Sequence, residues 1–191
     1  MTTRVTLISP ARNDASDGIR FDAGNSLSDA GLRAARAAAG SLPIAGSNLV
    51  SPSARCAETA EALGLEAVTT ADQAAGCDMG RWRGRSLEEV TADEPEGVGL
   101  WLSDAASAPH GGESVRQLCA RIEAWLAQLA AQQGRVVAVV EPDVVRAAVV
   151  CALGAPARSL WRADVEPLTA TELSGRSARW NLRTGTRLGP R

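Results

Sequence analysis

Short apolar runs of strand length recur along the chain and are separated by stretches with helical periodicity. The runs lie at residues 5–8, 48–50, 136–140 and 168–173. The third run is apolar throughout, which is typical of a central strand covered on both faces. The last run alternates apolar and polar positions, as a strand with one covered face does. We therefore predict four strands at these positions.

Five helices are predicted from apolar spacing and capping residues. The longest follows Ser114, where Gln117 completes a capping box and residues 115–129 place their apolar side chains on one face. The other four are predicted to begin near Ser28, Ser53, Ser86 and Pro142. Three of the helices are predicted to end at Gly40, Gly64 and Gly154. Residues 92–108 are rich in Pro, Asp and Ser, and we predict mainly loop there, with some helix around Trp101.

The alternation of strands and helices predicts a three-layer α/β architecture. A length of 191 residues is enough for one domain with a sizeable core. No internal repeat or linker divides the sequence, so we expect residues 1–191 to form a single domain.

Composition and charge exclude several classes of protein. The chain is 45% hydrophobic and 22% charged, as ordinary globular proteins are, and its net charge of −2 gives no basic footprint for nucleic acid. No apolar run approaches the roughly 20 residues of a membrane span. The N-terminal residues show no signal-peptide core. We expect a cytoplasmic protein without nucleic-acid or membrane partners.

The cysteines and the histidine give no metal-binding pattern. The four cysteines, at positions 56, 77, 119 and 151, are scattered, and the sequence holds a single histidine. Neither a C-x-x-C spacing nor a second histidine is present to complete a metal site. We therefore expect no metal or other cofactor, and we expect the cysteines to be small buried side chains in a reducing compartment.

Four segments resemble motifs of one enzyme superfamily. Residues 50–60 read V-S-P-S-A-R-C-A-E-T-A, residues 78–84 read D-M-G-R-W-R-G, and residues 109–114 read P-H-G-G-E-S. They resemble the S-P-x-x-R-A-x-Q-T-A, D-F-G-x-W-E-G and P-x-G-G-E-S segments of the histidine phosphatase (phosphoglycerate mutase-like) superfamily. Residues 28–35 are similar to its L-T-x-x-G-x-x-Q-A helix start. The resemblance implies a three-layer α/β/α sandwich with a mostly parallel central sheet.

The resemblance also implies a phosphate pocket built by two histidines, two arginines and a carboxylic acid. The family's first strand ends in R-H-G, and the same register here reads Ser9, Pro10, Ala11. Proline has no nucleophile and no backbone N–H, so Pro10 rules out attack on phosphorus from this position. Ser9 replaces an arginine clamp. Arg12 is either a partial replacement for that clamp or an exposed loop residue, and Arg55 matches the family's retained arginine.

The family's second histidine is replaced by Glu141. A phosphate within about 4 Å of this carboxylate would feel roughly 4 kcal/mol of repulsion per unit charge at an effective dielectric near 20. Two roles for Glu141 stay open. It can be a structural partner of Arg55 at a helix N-terminus, or a general base whose proton affinity is raised by partial burial. Asp143 either assists it or is a solvated acid in the first helical turn.

Two further positions complete the candidate pocket. Gly76 stands where the family commonly has its acid, and His110 lies at a loop-to-helix junction that the family uses near the pocket rim. His110 either contacts a ligand from the rim or is a surface loop residue.

Three functions are compatible with these substitutions. The first is a pseudoenzyme that binds a small molecule or a protein partner through the remodelled pocket. The second is a repurposed enzyme in which Glu141 and Arg55 perform acid–base chemistry on a substrate without phosphate. The third is residual phosphohydrolase activity. A homodimer is left open.

Overall fold

The computed structural model describes residues 2–13, 20–21, 24–176 and 179–189. Its strands form one six-stranded sheet of order β3-β2-β4-β1-β5-β6. The strands are β1 (Thr3–Ile8), β2 (Ser47–Val50), β3 (Val68–Thr70), β4 (Arg135–Val139), β5 (Thr169–Arg176) and β6 (Arg179–Arg187). Strands β1 to β4 pair in parallel, whereas β5 pairs antiparallel with both β1 and β6. The predicted mixed α/β fold with a mostly parallel centre is therefore confirmed.

Six α-helices accompany the sheet in the part of the chain that the structure describes. They are α1 (Asp29–Ala37), α2 (Ala54–Ala62), α3 (Leu87–Asp93), α4 (Pro95–Ser103), α5 (Val115–Gln132) and α6 (Pro142–Leu153). Capping boxes at Ser86 and Ser114 start α3 and α5 as predicted. Gly154 ends α6 in the left-handed conformation. Within the part of the chain that the structure describes, no helix is both long and apolar enough to cross a bilayer.

The strands alternate their side chains between two apolar layers. Val5 and Val136 point to the layer that holds α5 and α6, whereas Ile8 and Val137 point to the layer that holds α1 and α2. A third apolar cluster joins α3 and α4 to an aromatic group around Trp82. Residues of the same face recur every second position along each strand, so one sheet supplies both main layers of the core.

Three elements differ from the prediction. Residues 95–103 are helical because Pro95 suits a first turn, and the burial of Val98 and Trp101 outweighs the low helix propensity of the nearby glycines. Strand β3 has only three residues, none fully buried, so it lacks an apolar signal. Strand β6 is an exposed edge strand that contains several arginines. Because few of its side chains are buried, its sequence shows no clear alternation of apolar and polar positions.

Helix α1 packs so closely against the loop after β1 that a side chain at Gly31 is expected to destabilise the fold. A Cβ built on Gly31 would lie 2.1 Å from the backbone oxygen of Arg12, whereas a Cβ on Gly99 of α4 would meet nothing within 4 Å. We expect Gly31→Ala to lower the free energy of unfolding by about 2 kcal/mol despite alanine's better helix propensity. Gly99→Ala is expected to raise it by about 0.5–1 kcal/mol. Urea denaturation of both variants checks this, and a shift of the same sign in both would contradict the packing argument.

Candidate functional site

A cavity of about 590 Å³ lies at the carboxyl ends of the parallel strands. Strand β2 leads into it through Ser51, and strand β4 leads into it through Glu141. Its polar wall residues are Arg20, Ser51, Ser53, Arg55, Asp78, Arg83, Glu141, Asp143 and Arg146. Clefts at this end of an open α/β sheet are the usual place for ligands. We therefore take this cavity as the candidate functional site.

An ion pair between Arg55 and Glu141 dominates the polar part of the cavity. The Nε of Arg55 donates to Oε1 at 3.1 Å and to Oε2 at 2.8 Å of Glu141, and the Nη2 donates to Oε2. The side chains are only 17% and 6% exposed. Two parallel N–H···O bonds between planar groups give this pair strength and a fixed geometry.

Two residues of helix α2 give Glu141 further partners. Ser53 is the N-cap of α2, accepts a hydrogen bond from the backbone N–H of Cys56, and donates to Oε1 of Glu141 at 2.6 Å. The Cys56 thiol donates to the same oxygen at 3.5 Å, and its burial raises the pKa of that thiol. Glu141 itself is the N-cap of α6. The carboxylate therefore sits between two helix N-termini, where the backbone dipoles stabilise negative charge.

Asp143 is the second carboxyl group of the cavity. Its Oδ2 accepts from the backbone N–H of Cys77 at 2.5 Å, and its Oδ1 accepts from that of Val144 at 2.9 Å. Burial, reinforced by the nearby Glu141 carboxylate, raises the pKa of Asp143 although these two hydrogen bonds act against it. The structure thus places Asp143 on the cavity wall, in the first turn of α6, where it is partly buried.

Gly76 faces both acids. A Cβ on Gly76 would lie 3.2 Å from Cγ of Glu141 and 3.6 Å from Oδ1 of Asp143. The loop that carries Gly76 is held by Arg121 of α5, whose guanidinium donates to the carbonyls of residues 73, 75 and 76 and pairs with Glu113. The sequence position expected for the family's acid therefore does lie in the cavity, and glycine leaves room there for Glu141.

Ser9 and Pro10 do not line the cavity, which corrects their assignment to the pocket. Both are buried at the end of β1. The Ser9 hydroxyl donates to the carbonyl of Glu166 at 2.5 Å and accepts from the backbone N–H of Thr169 at 3.1 Å. Ser9 therefore fastens β1 to the start of β5. Next to Pro10, the N–H of Ala11 donates to the Thr59 hydroxyl at 3.1 Å, which holds this turn against α2.

Arg12 and His110 also lie off the cavity wall. Arg12 is exposed, as the loop alternative predicted, and its carbonyl accepts from the N–H of Ser28. His110 is neither a rim nor a surface residue, because it is 1% exposed and its ring lies 5.1 Å from that of Trp82. Its Nδ1 accepts from the N–H of Gly112, and burial lowers the pKa of the imidazole. Aromatic packing and a backbone hydrogen bond make this side chain part of the core.

An aromatic wall is the feature that sequence reasoning missed. Phe21, Trp101 and Trp161 line the cavity. The ring of Trp101 meets Trp161 edge-on at 4.3 Å and Phe21 at 5.6 Å. These residues come from three distant segments of the chain, so no spacing in the sequence brings them together. Trp82 is fully buried and packs against Phe21 and Trp101.

The described residues of this cavity form neither a cluster of metal ligands nor an activated thiol. Among the described residues, no group of three or more His, Cys, Asp or Glu side chains is arranged to hold a metal ion. The one cysteine of the wall, Cys77, donates its thiol hydrogen to the carbonyl of Glu113 at 3.3 Å. Burial raises the pKa of the Cys77 thiol, so it is not an activated nucleophile.

Comparison with known proteins identifies the family. The family model of the histidine phosphatase superfamily (branch 1) matches residues 13–186. The chain therefore belongs to the histidine phosphatase superfamily. The matched range includes Arg55 and Glu141 but begins after Pro10, so it does not cover the turn at residues 9–11.

Several individual proteins are similar to this chain. The "Bifunctional protein Rv2228c" of Mycobacterium tuberculosis is 33% identical over 129 residues, which are 63% of this chain and 35% of that protein. This chain thus spans about a third of the length of the curated relatives it matches first. A mycobacterial glucosyl-3-phosphoglycerate phosphatase is 26% identical with a TM-score of 0.80, covering 97% of this chain and 98% of that one. The alpha-ribazole phosphatase of Shigella flexneri is similar in fold, with a TM-score of 0.86 at 20% identity and 98% coverage of both chains.

The buried ion pair predicts strong coupling between Arg55 and Glu141. Arg55→Met leaves a buried carboxylate without its guanidinium, and we expect it to lower the free energy of unfolding by about 3 kcal/mol. Adding Glu141→Gln removes the uncompensated charge, so the double variant should recover about 2 kcal/mol of that loss. Chemical denaturation of wild type, both single variants and the double variant closes the cycle. Additive losses would show that the two side chains do not stabilise each other.

Proposed function

We propose that this chain is a histidine-phosphatase-fold protein without histidine-dependent phosphatase or mutase activity, and that it binds a small molecule in the 590 Å³ cavity. The observation that carries the proposal is the Arg55–Glu141 pair. Arg55, the arginine that matches the family motif, donates its hydrogen bonds to the Glu141 carboxylate of the same chain. This contact lies at the N-termini of α2 and α6. The protein thus supplies its own anion where a phosphate would otherwise be held.

The chemistry of the cavity wall supports the loss of phosphoryl transfer. A phosphohistidine intermediate needs an imidazole that faces the substrate. The chain has one histidine, His110, and it is packed against Trp82 rather than on the wall. Pro10 offers no side-chain nucleophile. A phosphate entering the cavity would also meet the carboxylates of Glu141 and Asp143.

The shape and lining of the cavity support binding of a small organic molecule. A volume of 590 Å³ lies within the roughly 300–1,000 Å³ of typical ligand pockets. Phe21, Trp101 and Trp161 contribute apolar ring surface to its wall. The wall also carries polar groups that are fixed by hydrogen bonds, among them Glu141 and Asp143. A planar molecule with a few polar substituents matches this combination.

Acid–base catalysis on a substrate without phosphate is the second candidate function. It is favoured by Asp143, a carboxyl group of raised pKa on the wall of an open cavity. Glu141 is less suited to the role of base, because Arg55, Ser53 and Cys56 occupy its oxygens. In this alternative, Asp143 exchanges the proton and Arg55 holds Glu141 in place.

Phosphoester hydrolysis is the third candidate, because the family and the similar proteins named above include phosphatases. It would need a nucleophile other than histidine, since the wall carries no imidazole. The assay that follows distinguishes it from the first two candidates.

Purified protein is expected to release no phosphate from p-nitrophenyl phosphate or 3-phosphoglycerate above the buffer background, and to retain no label from a ³²P-phosphorylated donor. The reason is the missing imidazole and the neutralised arginine. The measurement is phosphate release over several hours at enzyme concentrations in the micromolar range.

The variant Arg55→Ala serves as the control for contaminating phosphatases. Contamination leaves any observed rate unchanged in this variant, provided that circular dichroism shows it to be folded. A rate that is present in wild type and abolished in Arg55→Ala would overturn the proposal in favour of a phosphohydrolase.

Binding is tested with neutral planar fragments, indole and 2-naphthol, by saturation-transfer NMR and calorimetry. We expect these fragments to bind, and we expect Trp161→Leu to weaken their binding by about tenfold, which corresponds to a loss of about 1.4 kcal/mol of binding free energy. Trp180→Leu is the matched control, because Trp180 is a partly buried tryptophan away from the cavity. Equal affinity for both variants, or no binding to wild type, would contradict the proposed use of the cavity.

A further inference from the structure

Among the described residues, helices α1 and α2 cover only part of one face of the sheet. Helices α1 and α2 pack on residues such as Val137, Val139 and Ile8, towards the carboxyl ends of β1 and β4. The opposite ends of these strands, together with β5 and β6, carry polar side chains on this face. A depression of about 610 Å³ lies there, apart from the cavity described above.

The strand register places several arginines on this face. Arg4 of β1 lies directly beside Arg135 of β4. On its other side, Arg4 neighbours Ser174 of β5, which in turn neighbours Asn181 of β6. Directly paired residues of neighbouring strands point to the same face, so these four side chains form one row.

A second row follows two residues along. It contains Thr6, Glu172 and Arg183, which are paired across β1, β5 and β6. Two residues along a strand return to the same face, so both rows belong to one surface. Arg4, Arg135 and Arg183 all line the 610 Å³ depression, with Ser41 and Pro43 on its rim.

The charges on this surface are unbalanced. Glu172 contributes a carboxylate to the depression, and its Oε2 lies 3.9 Å from Nη1 of Arg183. Within the ranges that the structure describes, Arg4 and Arg135 pair with no carboxylate, although their Cα atoms are direct cross-strand neighbours. Like charges placed directly opposite each other destabilise a sheet, and Arg135 is also partly buried. An anion between the two guanidinium groups would relieve this repulsion.

We propose that this depression is a binding site for a small multivalent oxyanion, held by Arg4, Arg135 and Arg183. Guanidinium groups bind phosphate and carboxylate oxygens through paired N–H donors. Ser174 and Asn181 supply neutral hydrogen-bonding groups beside them. The depression has a volume of about 610 Å³, so its size suits a compact anion rather than an extended polymer. The ligand class is an oligophosphate or a tricarboxylate, since both carry several negatively charged oxygens in a small molecule.

The test is isothermal titration calorimetry with inorganic triphosphate and, separately, citrate, at constant ionic strength and without divalent cations. Constant ionic strength matters because screening weakens contacts to exposed charges. We expect saturable one-to-one binding of at least one anion, and the tighter of the two identifies the source of the oxygens. No saturable binding of either anion would overturn the proposal.

Three variants locate the site. The double variant Arg4→Gln/Arg135→Gln should weaken binding by about tenfold or more. The variant Arg33→Gln/Arg116→Gln, which removes the same charge from exposed positions on α1 and α5, should change affinity by less than about twofold. Glu172→Gln removes the opposing carboxylate, so it should tighten binding. Equal losses in the two double variants would show a non-specific charge effect and overturn the proposal.

The cavity at the carboxyl ends of the strands is a competing location. Binding that Arg146→Gln abolishes and Arg4→Gln/Arg135→Gln leaves intact would place the anion there and refute this site. Thermal unfolding gives an independent check. In low salt without anion, Arg4→Gln should raise the midpoint temperature of unfolding, because it removes the positive charge beside Arg135. The same variant should be stabilised less by added triphosphate than wild type is. A lower midpoint with an unchanged triphosphate effect would contradict both points.

Discussion

The buried ion pair between Arg55 and Glu141 constrains the rest of the candidate site. A carboxylate that is almost fully buried needs a partner, because removing its guanidinium would leave a charge in a medium of low dielectric. The pair requires β4 to end where α6 begins and β2 to end just before α2. Both helices therefore direct their N-termini at the same point. Ser53 completes the arrangement by capping α2 and donating to Glu141 at once.

This arrangement separates the polar and apolar parts of the cavity. The Glu141 carboxylate accepts the hydrogen bonds of Arg55, and Gly76 leaves room beside it. What remains open is bordered by Phe21, Trp101 and Trp161. The site lies where open α/β sheets usually place ligands, and its wall combines aromatic rings with charged side chains of both signs. One fold can host many functions, because the residues of the site can differ without any alteration of the sheet.

The parts of the fold that could be predicted are those specified locally. Ser86 and Ser114 start helices because capping boxes act within four residues. Strand β4 is recognisable because burial on both faces makes it apolar throughout. Strand β3 escaped prediction, and helix α4 was predicted only around Trp101, for the opposite reason. Both are stabilised by contacts with distant segments, which leave no periodic signal in their own sequence.

The same distinction applies to the site. The partnership of Arg55 and Glu141 was one of two alternatives that the family motifs left open, and only the geometry favours it. The sequence position of His110 suggested a loop at the surface, but Trp82 and the turn around Gly112 enclose it. Ser9 was expected at the pocket because of its register, yet its hydroxyl is used to join β1 to β5. Register fixes where a residue stands along a strand, but not which neighbour its side chain contacts.

Net charge conceals how unevenly the charges are distributed in this chain. A net charge of −2 argues against a broad basic surface. It says nothing about a local cluster such as Arg4, Arg135 and Arg183, which are far apart in sequence and meet only because β1 lies between β4 and β5 in the sheet. Sheet order, rather than composition, decides which charges become neighbours. Within the described ranges, the chain buries Arg55 against its own Glu141 and leaves Arg4 and Arg135 side by side with no carboxylate partner. The same kind of side chain is therefore used in two opposite ways, and the difference lies in the elements that surround each.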